Sequence, residues 1–363
     1  MKKNVWVFIA AISILLFFIS YTITIPILTL RILRALLLLT SLCFLLITIF
    51  KLNINKLKIV YVFFLVLSTF SFLELVFIFS PISQGIDFSL ASQVWFDTYW
   101  EENEAGFRDI ELRENSDFDV FFIGDSFTAG HGLNSVADRF SNIFQNEAEK
   151  YGKKPQVFNL GYCGVDTKME FEYELKRFIE KTQVHPEIVF LQYFGNDIEQ
   201  VALNQGMKLP IGNPIEQMGW IKRNLISNSY FLNFIYWKTN PLNFNSYTNF
   251  LSEAYNDYNI TKAHYNDIDS IIYYTQENDI TLHVLVFPFM HNLNLSETMY
   301  ASKIYSHLSK RKVPFTNVSS LIKNISFEDR IVNSNDFHAS VEVNHLIGKY
   351  LYEIIYANQL YTE

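Results

Sequence analysis

The sequence predicts an α/β protein whose parallel sheet carries helices on both faces and is preceded by three membrane-spanning helices. Half of the 363 residues are hydrophobic and only 18% are charged, which is more apolar than a typical soluble protein. Three long apolar stretches precede Pro81, and buried-strand and helix patterns alternate after it. We therefore expect a membrane anchor over residues 1–80, a lead-in segment over 81–118 and a folded domain over 119–363.

The apolar stretches at 5–25, 32–50 and 59–79 are each near the ~20 residues that a spanning helix requires. With the N-terminus inside, the inner flanks hold more basic side chains than the outer hairpin, as the positive-inside rule demands. The inner set is Lys2, Lys3, Lys51, Lys56 and Lys58, and the outer set is Arg31 and Arg34. A cleaved signal peptide is the alternative, but no small-x-small cleavage site follows the first stretch. The sequence thus predicts a multi-pass protein of the cytoplasmic membrane, in contact with the lipid bilayer, with residues 81–363 outside the cytoplasm.

Glu74 lies inside the third apolar stretch, near its outer end. A carboxylate at that depth can reach the interface between lipid and water. It could also contact another membrane protein. The sequence leaves both interpretations open and favours the first.

Charge and cysteine content exclude two classes of protein. The chain carries a net charge of −8 although its first 80 residues are basic, so the remainder is strongly acidic. An acidic domain disfavours nucleic acid as a partner. Cys43 and Cys163 are the only cysteines, which excludes a disulfide framework.

After Pro81, five stretches have the length and apolar character of buried strands, and helical patterns separate them. In the common 2-1-3-4-5 order the first strand lies between the second and the third, so their carboxyl ends are neighbours. An aromatic-rich insertion at 198–258 is too long for an ordinary connection, and we expect a lid or a side wall there. The predicted strands are 119–124, 156–160, 187–194, 281–287 and 315–318, and the predicted helices are 138–151, 168–181, 263–277, 298–309 and 341–357.

Polar, glycine-containing turns follow the first three predicted strands. They are Gly124-Asp125-Ser126, Gly161-Tyr162-Cys163-Gly164 and Gly195-Asn196-Asp197. A serine lifted out of such a turn can serve as a nucleophile, and its own N–H, the Gly164 N–H and the Asn196 amide would form an oxyanion hole. Gly161 remains an alternative to Gly164 as the second donor. The turns therefore predict acyl-transfer chemistry at Ser126.

A base for this serine is predicted near the C-terminus, where Asp336-Phe337-His338 precedes the last helix. Residues two apart project on the same side of an extended segment, so Asp336 can hold one ring nitrogen of His338 while the other faces Ser126. His131, close to the serine turn, either lines the pocket or packs beside it. No His/Glu or Cys cluster has the spacing of a zinc site, so no metal is expected.

Each of these motifs alone is also explained by turn formation, since glycine, asparagine and aspartate favour turns. Their joint occurrence, in order and each at a predicted strand end, favours a catalytic set. Asp125 and Asp197 are then expected to stabilise their turns as acceptors and not to act as catalytic acids.

Taken together, the motifs resemble the SGNH (GDSL) hydrolase family over roughly residues 103–360. The stretches 103–109 and 124–132 are similar to the membrane-anchored bacterial branch of that family. The resemblance implies a flavodoxin-like three-layer fold, esterase, lipase-like or O-acyl transfer chemistry, and no cofactor. Phe127 stands where the founding motif has leucine, a departure that leaves the chemistry intact.

Residue by residue, the resemblance implies that the nucleophile is Ser126, that the oxyanion donors are Gly164 and Asn196, and that Asp336 and His338 are the acid and base of a triad. We therefore expect a membrane-anchored, extracytoplasmic serine esterase or O-acyl transferase that acts on an acylated cell-surface glycan. A transferase would need a membrane-bound protein that supplies the acyl group. The alternative is a non-catalytic glycan-binding or assembly component of a surface-polysaccharide machine.

Overall fold

The structure is a computed structural model, and it divides the chain into two compact units. The first unit comprises Met1–Thr98 and Gly212–Leu242, and the second comprises Tyr99–Ile211 and Asn243–Glu363. The predicted span at 5–25 lies almost entirely outside the described residues. Those residues are 28–52, 58–85, 88–109, 116–210, 212–240 and 245–356, together with Phe8, Ile12, Leu15, Leu16 and Ile19.

The described regular secondary structure of the first unit is helical. Within the described ranges, no helix is both long and apolar enough to cross a membrane, so the three predicted spans are not supported. Its helices are Leu28–Leu52, Lys58–Ile78, Leu90–Tyr99, Trp220–Asn228 and Tyr230–Thr239.

Glu74 joins two helices of this unit. Its fully buried carboxylate accepts hydrogen bonds from Ser229 Oγ at 2.7 Å, Tyr230 N at 2.9 Å and Phe231 N at 3.0 Å. The two N–H groups belong to the first turn of the helix Tyr230–Thr239, where no intrahelical acceptor exists and the helix dipole favours a negative charge. Glu74 is thus a buried helix cap and not the interfacial group that the sequence favoured.

The second unit is built on a five-stranded parallel sheet, which confirms the predicted α/β class. Its order is β2-β1-β3-β4-β5, the order expected from the sequence. Helices cover both faces of the sheet. Alternate residues of β1 therefore point into two different hydrophobic cores: Phe121 and Ile123 lie in one core, and Val120 and Phe122 lie in the other. The strands are β1 Phe118–Ile123, β2 Pro155–Asn159, β3 Ile188–Tyr193, β4 Thr281–Val286 and β5 Phe315–Asn317.

The five helices predicted in the second unit lie near their predicted positions, with two departures, and the unit contains further helices that were not predicted. The helices predicted at 168–181 and 298–309 contain π-helical segments, Glu170–Lys176 and Glu297–Ala301. The α-helices are Ser126–Ala129, Phe140–Lys150, Thr167–Met169, Arg177–Thr182, Glu199–Asn204, Asn245–Asn256, Tyr258–Glu277, Leu293–Ser296, Ser302–Arg311, Val318–Ile322, Phe327–Arg330 and Val341–Tyr356.

The insertion predicted at 198–258 is largely helical and is shared between the two units. The helices Glu199–Asn204 and Asn245–Asn256 belong to the second unit. The intervening residues 212–242 belong to the first unit. A lid or side wall made by this insertion stays a prediction.

A short antiparallel hairpin precedes the last helix and was not predicted. It pairs β6, Ile331–Asn333, with β7, Asp336–Ala339. The extended backbone of β7 carries both Asp336 and His338, as the two-residue spacing required. The hairpin is thus the platform for the candidate base.

Candidate active site

The turn after β1 presents Ser126 at the start of a short helix. Asp125 caps this helix, since its Oδ1 accepts the Phe127 N–H at 2.9 Å. Gly124 has φ +147°, and a Cβ there would lie 2.5 Å from Thr128 Oγ1. Only glycine fits at this position, so the first residue of the Gly-Asp-Ser turn is required by backbone and packing.

Ser126, His338 and Asp336 form one hydrogen-bonded chain. Ser126 Oγ lies 2.7 Å from His338 Nε2, and His338 Nδ1 lies 2.6 Å from Asp336 Oδ1. Asp336 Oδ1 also accepts the His338 backbone N–H at 3.1 Å, which fixes the carboxylate relative to the ring. The Asp336 side chain is fully buried and the His338 side chain is mostly buried. The structure therefore brings together the three residues that the sequence predicted as nucleophile, base and orienting acid.

His131 packs directly on the candidate base. Its ring lies against that of His338, with centroids 4.4 Å apart and an interplanar angle of 30°. Burial lowers the pKa of His131 from 6.5 to about 3, with the neighbouring His338 contributing to the shift, so the ring is neutral near pH 7. Of the two interpretations left open by the sequence, the structure favours packing.

The same cluster is compact enough to suggest a metal site. One ligand atom from each of His131, Asp336 and His338 lies within 4.8 Å of the others. However, both ring nitrogens of His338 already face Asp336 and Ser126, and imidazole lone pairs lie in the ring plane. Two tilted, stacked rings do not direct those lone pairs to one point, so the geometry favours proton transfer.

Two glycines compete for the second oxyanion position, and their surroundings differ. Gly161 is buried, and a Cβ there would lie 2.5 Å from the Ala129 backbone nitrogen. Gly164 is exposed, with φ +78°, and a Cβ there would have nothing within 4 Å. Gly161 is therefore needed for close packing of the turn after β2 against the nucleophile helix, whereas the Gly164 backbone borders open space that a substrate could enter.

Asn196 follows β3, the neighbour of β1 on its other side. Its side chain lies close enough to Asp125, the residue before the candidate nucleophile, to lower the pKa of that carboxyl group against the larger effect of burial. A carboxylate only accepts, so only the amide nitrogen of Asn196 could donate to an ionised Asp125. The second N–H of the same nitrogen then remains for an oxyanion.

Asp197 stabilises the turn that carries Asn196. Asp197 Oδ2 accepts the Phe194 N–H at 3.0 Å, and the Asp197 N–H donates to the Phe194 carbonyl oxygen at 3.1 Å. Asp197 therefore accepts a hydrogen bond within its turn, as predicted. Asp125 does the same in the turn after β1, where it caps the short helix.

Arg108, within the stretch 103–109, supports the nucleophile helix in a way that its sequence context does not indicate. The Arg108 guanidinium is buried and donates to the carbonyl oxygens of Ala129 at 3.3 Å, Gly130 at 2.6 Å and Leu133 at 2.6 Å. The first two of these carbonyls lie at the end of the helix that starts at Ser126, and the last carbonyls of a helix lack intrahelical partners. Arg108 thus fixes the helix end opposite the nucleophile.

Four carboxyl groups lie buried around the turns of the site: Asp125, Glu170, Glu174 and Asp197. Burial raises the pKa of each above its usual range. Repulsion from neighbouring carboxylates adds to the shift of Glu170, Glu174 and Asp197, most clearly for Glu170 beside Asp197. Sequence reasoning missed the two glutamates. Their only signal was a four-residue spacing, which places both on one helix face.

No protein-family model matches this sequence, and no curated protein matches it. Several solved structures are similar in fold. One is the lipase Lip_vut3 from a goat rumen metagenome, at 14% identity and a TM-score of 0.44, covering 66% of this chain and 98% of that one. Another is a member of the lipolytic protein G-D-S-L family from Veillonella parvula, at 12% identity and a TM-score of 0.40, covering 67% of this chain and 99% of that one.

A third is Axe2, an acetylxylan esterase from Geobacillus stearothermophilus, at 13% identity and a TM-score of 0.40, covering 67% of this chain and 96% of that one. All of these proteins are named as lipolytic or esterolytic. At such identities and TM-scores the likeness assigns no activity to this chain. A function for it has to follow from the geometry of its own residues.

Proposed function

We propose that this protein is a serine ester hydrolase in which Ser126 is the nucleophile. The observation that carries the proposal is the chain of two short hydrogen bonds, from Ser126 Oγ to His338 Nε2 and from His338 Nδ1 to Asp336 Oδ1. A serine, an imidazole and a buried carboxylate in this order form the arrangement that activates a hydroxyl near neutral pH.

In the first half-reaction, His338 Nε2 accepts the proton of Ser126 while Oγ attacks the acyl carbonyl carbon. The carbonyl oxygen becomes an oxyanion, which the backbone N–H groups of Ser126 and Gly164 and the side-chain amide of Asn196 would stabilise. His338 then gives its proton to the departing alcohol oxygen, and the carbon–oxygen bond of the ester breaks. The acyl group remains on Ser126.

In the second half-reaction, an acceptor hydroxyl attacks the acyl carbon and His338 takes its proton. His338 then returns the proton to Ser126 Oγ as the bond between Oγ and the acyl carbon breaks, which regenerates the free serine. With water as acceptor the product is a carboxylic acid, and with a sugar hydroxyl it is a new ester. The first outcome makes the protein an esterase and the second makes it an O-acyl transferase. A transferase would require a membrane-bound donor of acyl groups.

The substrate that we propose is an acyl group ester-linked to a cell-surface glycan. The resemblance of the motifs to the SGNH family supports an oxygen ester as the reacting group. The acidic balance of residues 81–363 disfavours a strongly anionic polymer, which leaves neutral acylated glycans as the better class.

A location outside the cytoplasm stays a prediction from the lysine distribution. A phosphatase reporter fused after Glu363 should be active, and a reporter that needs the cytoplasm should be silent. The reverse pattern would overturn the proposed location and leave the proposed chemistry untouched.

A fluorophosphonate probe tests the chemistry, because it reacts only with an activated serine. The wild-type chain should be labelled and should hydrolyse p-nitrophenyl acetate, and Ser126→Ala should lose both with little change in melting temperature. Ser270→Ala, at an exposed serine, is the matched control and should behave as wild type. A wild-type chain that stays unlabelled would favour the alternative, a glycan-binding or assembly component without catalysis.

A further inference from the structure

The segment behind the two turns next to Ser126 is an unusual helix with buried acids. Residues Glu170–Lys176 are π-helical, a geometry that is rare and often found at functional sites. Glu170 and Glu174 are almost completely buried there, while Glu172 of the same segment is exposed. The π-helical segment thus contains two glutamates whose side chains point into the protein.

Glu174 contacts the backbone that leads to the candidate nucleophile. Its Oε2 accepts the Gly124 N–H at 2.8 Å, in a buried environment. Gly124 is the first residue after β1 and lies two residues before Ser126. The Glu174 carboxyl group thus stabilises the turn directly after the last residue of β1.

The same carboxyl group lies beside the neighbouring turn. The Tyr162 N–H is close enough to lower the pKa of Glu174, against the larger opposing effect of burial. Tyr162 also donates its N–H to the Gly124 carbonyl oxygen at 3.1 Å. Tyr162 lies two residues before Gly164, as Gly124 lies two residues before Ser126.

We propose that Glu174 is a positioning residue, whose side-chain oxygen sets the spacing between the two backbone N–H donors of the oxyanion hole. It touches neither substrate nor nucleophile and acts through Gly124 and Tyr162. The inference rests on the proposed function, since it presumes an oxyanion at Ser126 and Gly164.

The position of the acceptor matters here more than its charge. Three other buried carboxyl groups lie close to Glu174, and none of the causes of its pKa shift is a cation. An amide oxygen accepts an N–H as well as a carboxyl oxygen does. Glutamine should therefore replace Glu174, whereas aspartate should not, because its oxygens lie one methylene farther from both N–H groups.

The test compares Glu174→Gln and Glu174→Asp in the full chain, with p-nitrophenyl acetate as substrate. Glu174→Gln should keep kcat within about three-fold, while Glu174→Asp should lower kcat by about ten-fold or more at a KM within about two-fold, since a displacement near 1 Å can cost up to 10²-fold. Glu172→Gln and Glu172→Asp, on the same segment, are matched controls and should behave as wild type. Melting temperatures separate loss of folding from loss of kcat.

Three outcomes would overturn the inference: wild-type kcat in Glu174→Asp, loss in Glu174→Gln with retention in Glu174→Asp, or equal loss in both that follows the melting temperature. Wild-type kcat in Glu174→Asp would show that the contact does not affect catalysis. Loss in Glu174→Gln alone would show that the charge of Glu174 matters, and equal loss that follows the melting temperature would show that Glu174 only stabilises the fold. Fluorophosphonate labelling of the wild-type chain at Ser126 keeps these outcomes distinct from failure of the proposed function.

Discussion

His131 packs at a tilt against His338, with ring centroids 4.4 Å apart and an interplanar angle of 30°, so one histidine partly covers a face of the other. The covering ring is buried and its pKa is about 3, which leaves it neutral throughout the range where a serine hydrolase works. It therefore neither supplies nor accepts the serine proton. It shields His338 from solvent.

From this contact we predict that His131→Phe keeps most of the activity. Phenylalanine retains a flat ring of similar size, so kcat/KM should stay within about ten-fold, as volume-conserving changes are tolerated best. The acid limb of the pH–rate profile between pH 5 and 9 should not move, because His131 does not titrate there. A loss as severe as that of His338→Ala would show that His131 is the base.

The members of the Asp336–His338 pair should differ in the cost of their removal. His338→Ala should be nearly as damaging as Ser126→Ala, and the double variant no worse than either, because residues that act as a unit lose activity together. Asp336→Ala should retain more activity, since Asp336 orients the ring without exchanging a proton with substrate. The measurement is kcat/KM from pH 5 to 9, and greater activity in His338→Ala than in Asp336→Ala would contradict the assignment.

Asn196→Ala should lower kcat on the order of 10²–10³-fold, the usual loss for one oxyanion donor. Asn196→Asp is the sharper variant, because it keeps the shape and replaces the donor by an acceptor beside Asp125. Its loss should be at least as large. The measurement is kcat and KM with p-nitrophenyl acetate as substrate. A change in KM at an unchanged kcat would contradict the prediction and show that Asn196 only binds substrate.

Glu170 should make the protein less stable as the pH rises. Its pKa is raised by burial and by Asp197, so above its ordinary pKa of 4.5 the folded chain holds a proton that the unfolded chain releases. Stability is then fully present at acidic pH and falls by up to about 1.4 kcal/mol per pH unit as the pH climbs toward the folded-state pKa.

Glu170→Gln removes this proton and should flatten the dependence of the melting temperature between pH 5 and 9. Near pH 4 the variant and the wild type should have similar melting temperatures, since glutamine resembles a protonated glutamate. Glu172→Gln, at an exposed position of the same segment, provides the control. An unchanged slope in Glu170→Gln would show that another group carries the linked proton.

Glu74→Ala should loosen the helix Tyr230–Thr239. The change leaves three donors without their acceptor, two of them buried, which costs on the order of 1–3 kcal/mol for each buried group left unsatisfied. Amide exchange at Tyr230 and Phe231 should speed up, while Glu216→Ala, an exposed control in the same unit, should have no effect. Unchanged exchange at both amides would mean that the cap contributes nothing.

The sheet of the second unit was predictable because its strands are short apolar runs, three of which end at a glycine-containing turn. Strand positions agree within one or two residues, as for 119–124 against Phe118–Ile123. The 2-1-3-4-5 order then placed Ser126 between the turns of its two neighbours. The Asp336–His338 geometry followed from a spacing of two in extended backbone.

Contacts between distant residues were not predictable in the same way. Glu170 and Glu174 lie on a π-helical segment, and no propensity of the individual residues indicates that geometry. Arg108 acts through carbonyl oxygens, which every residue has, so no side-chain pattern signals its partners. Glu74 was expected to reach the interface between lipid and water, because hydropathy describes one segment of the sequence and does not indicate which helix packs against it.

The Glu74 cap also has a consequence for the order in which the chain is made. Glu74 and Ser229 are 155 residues apart, so at about 5–20 residues per second the ribosome needs roughly 8–30 s to supply the donors after it has supplied the acceptor. A nascent chain that has passed Glu74 but has not reached Ser229 therefore has the carboxylate but not the groups that stabilise it in its buried position. The synthesis of the helical unit starts before that of the second unit, yet it ends only after the turns that carry Ser126, Gly164 and Asn196 have been synthesised.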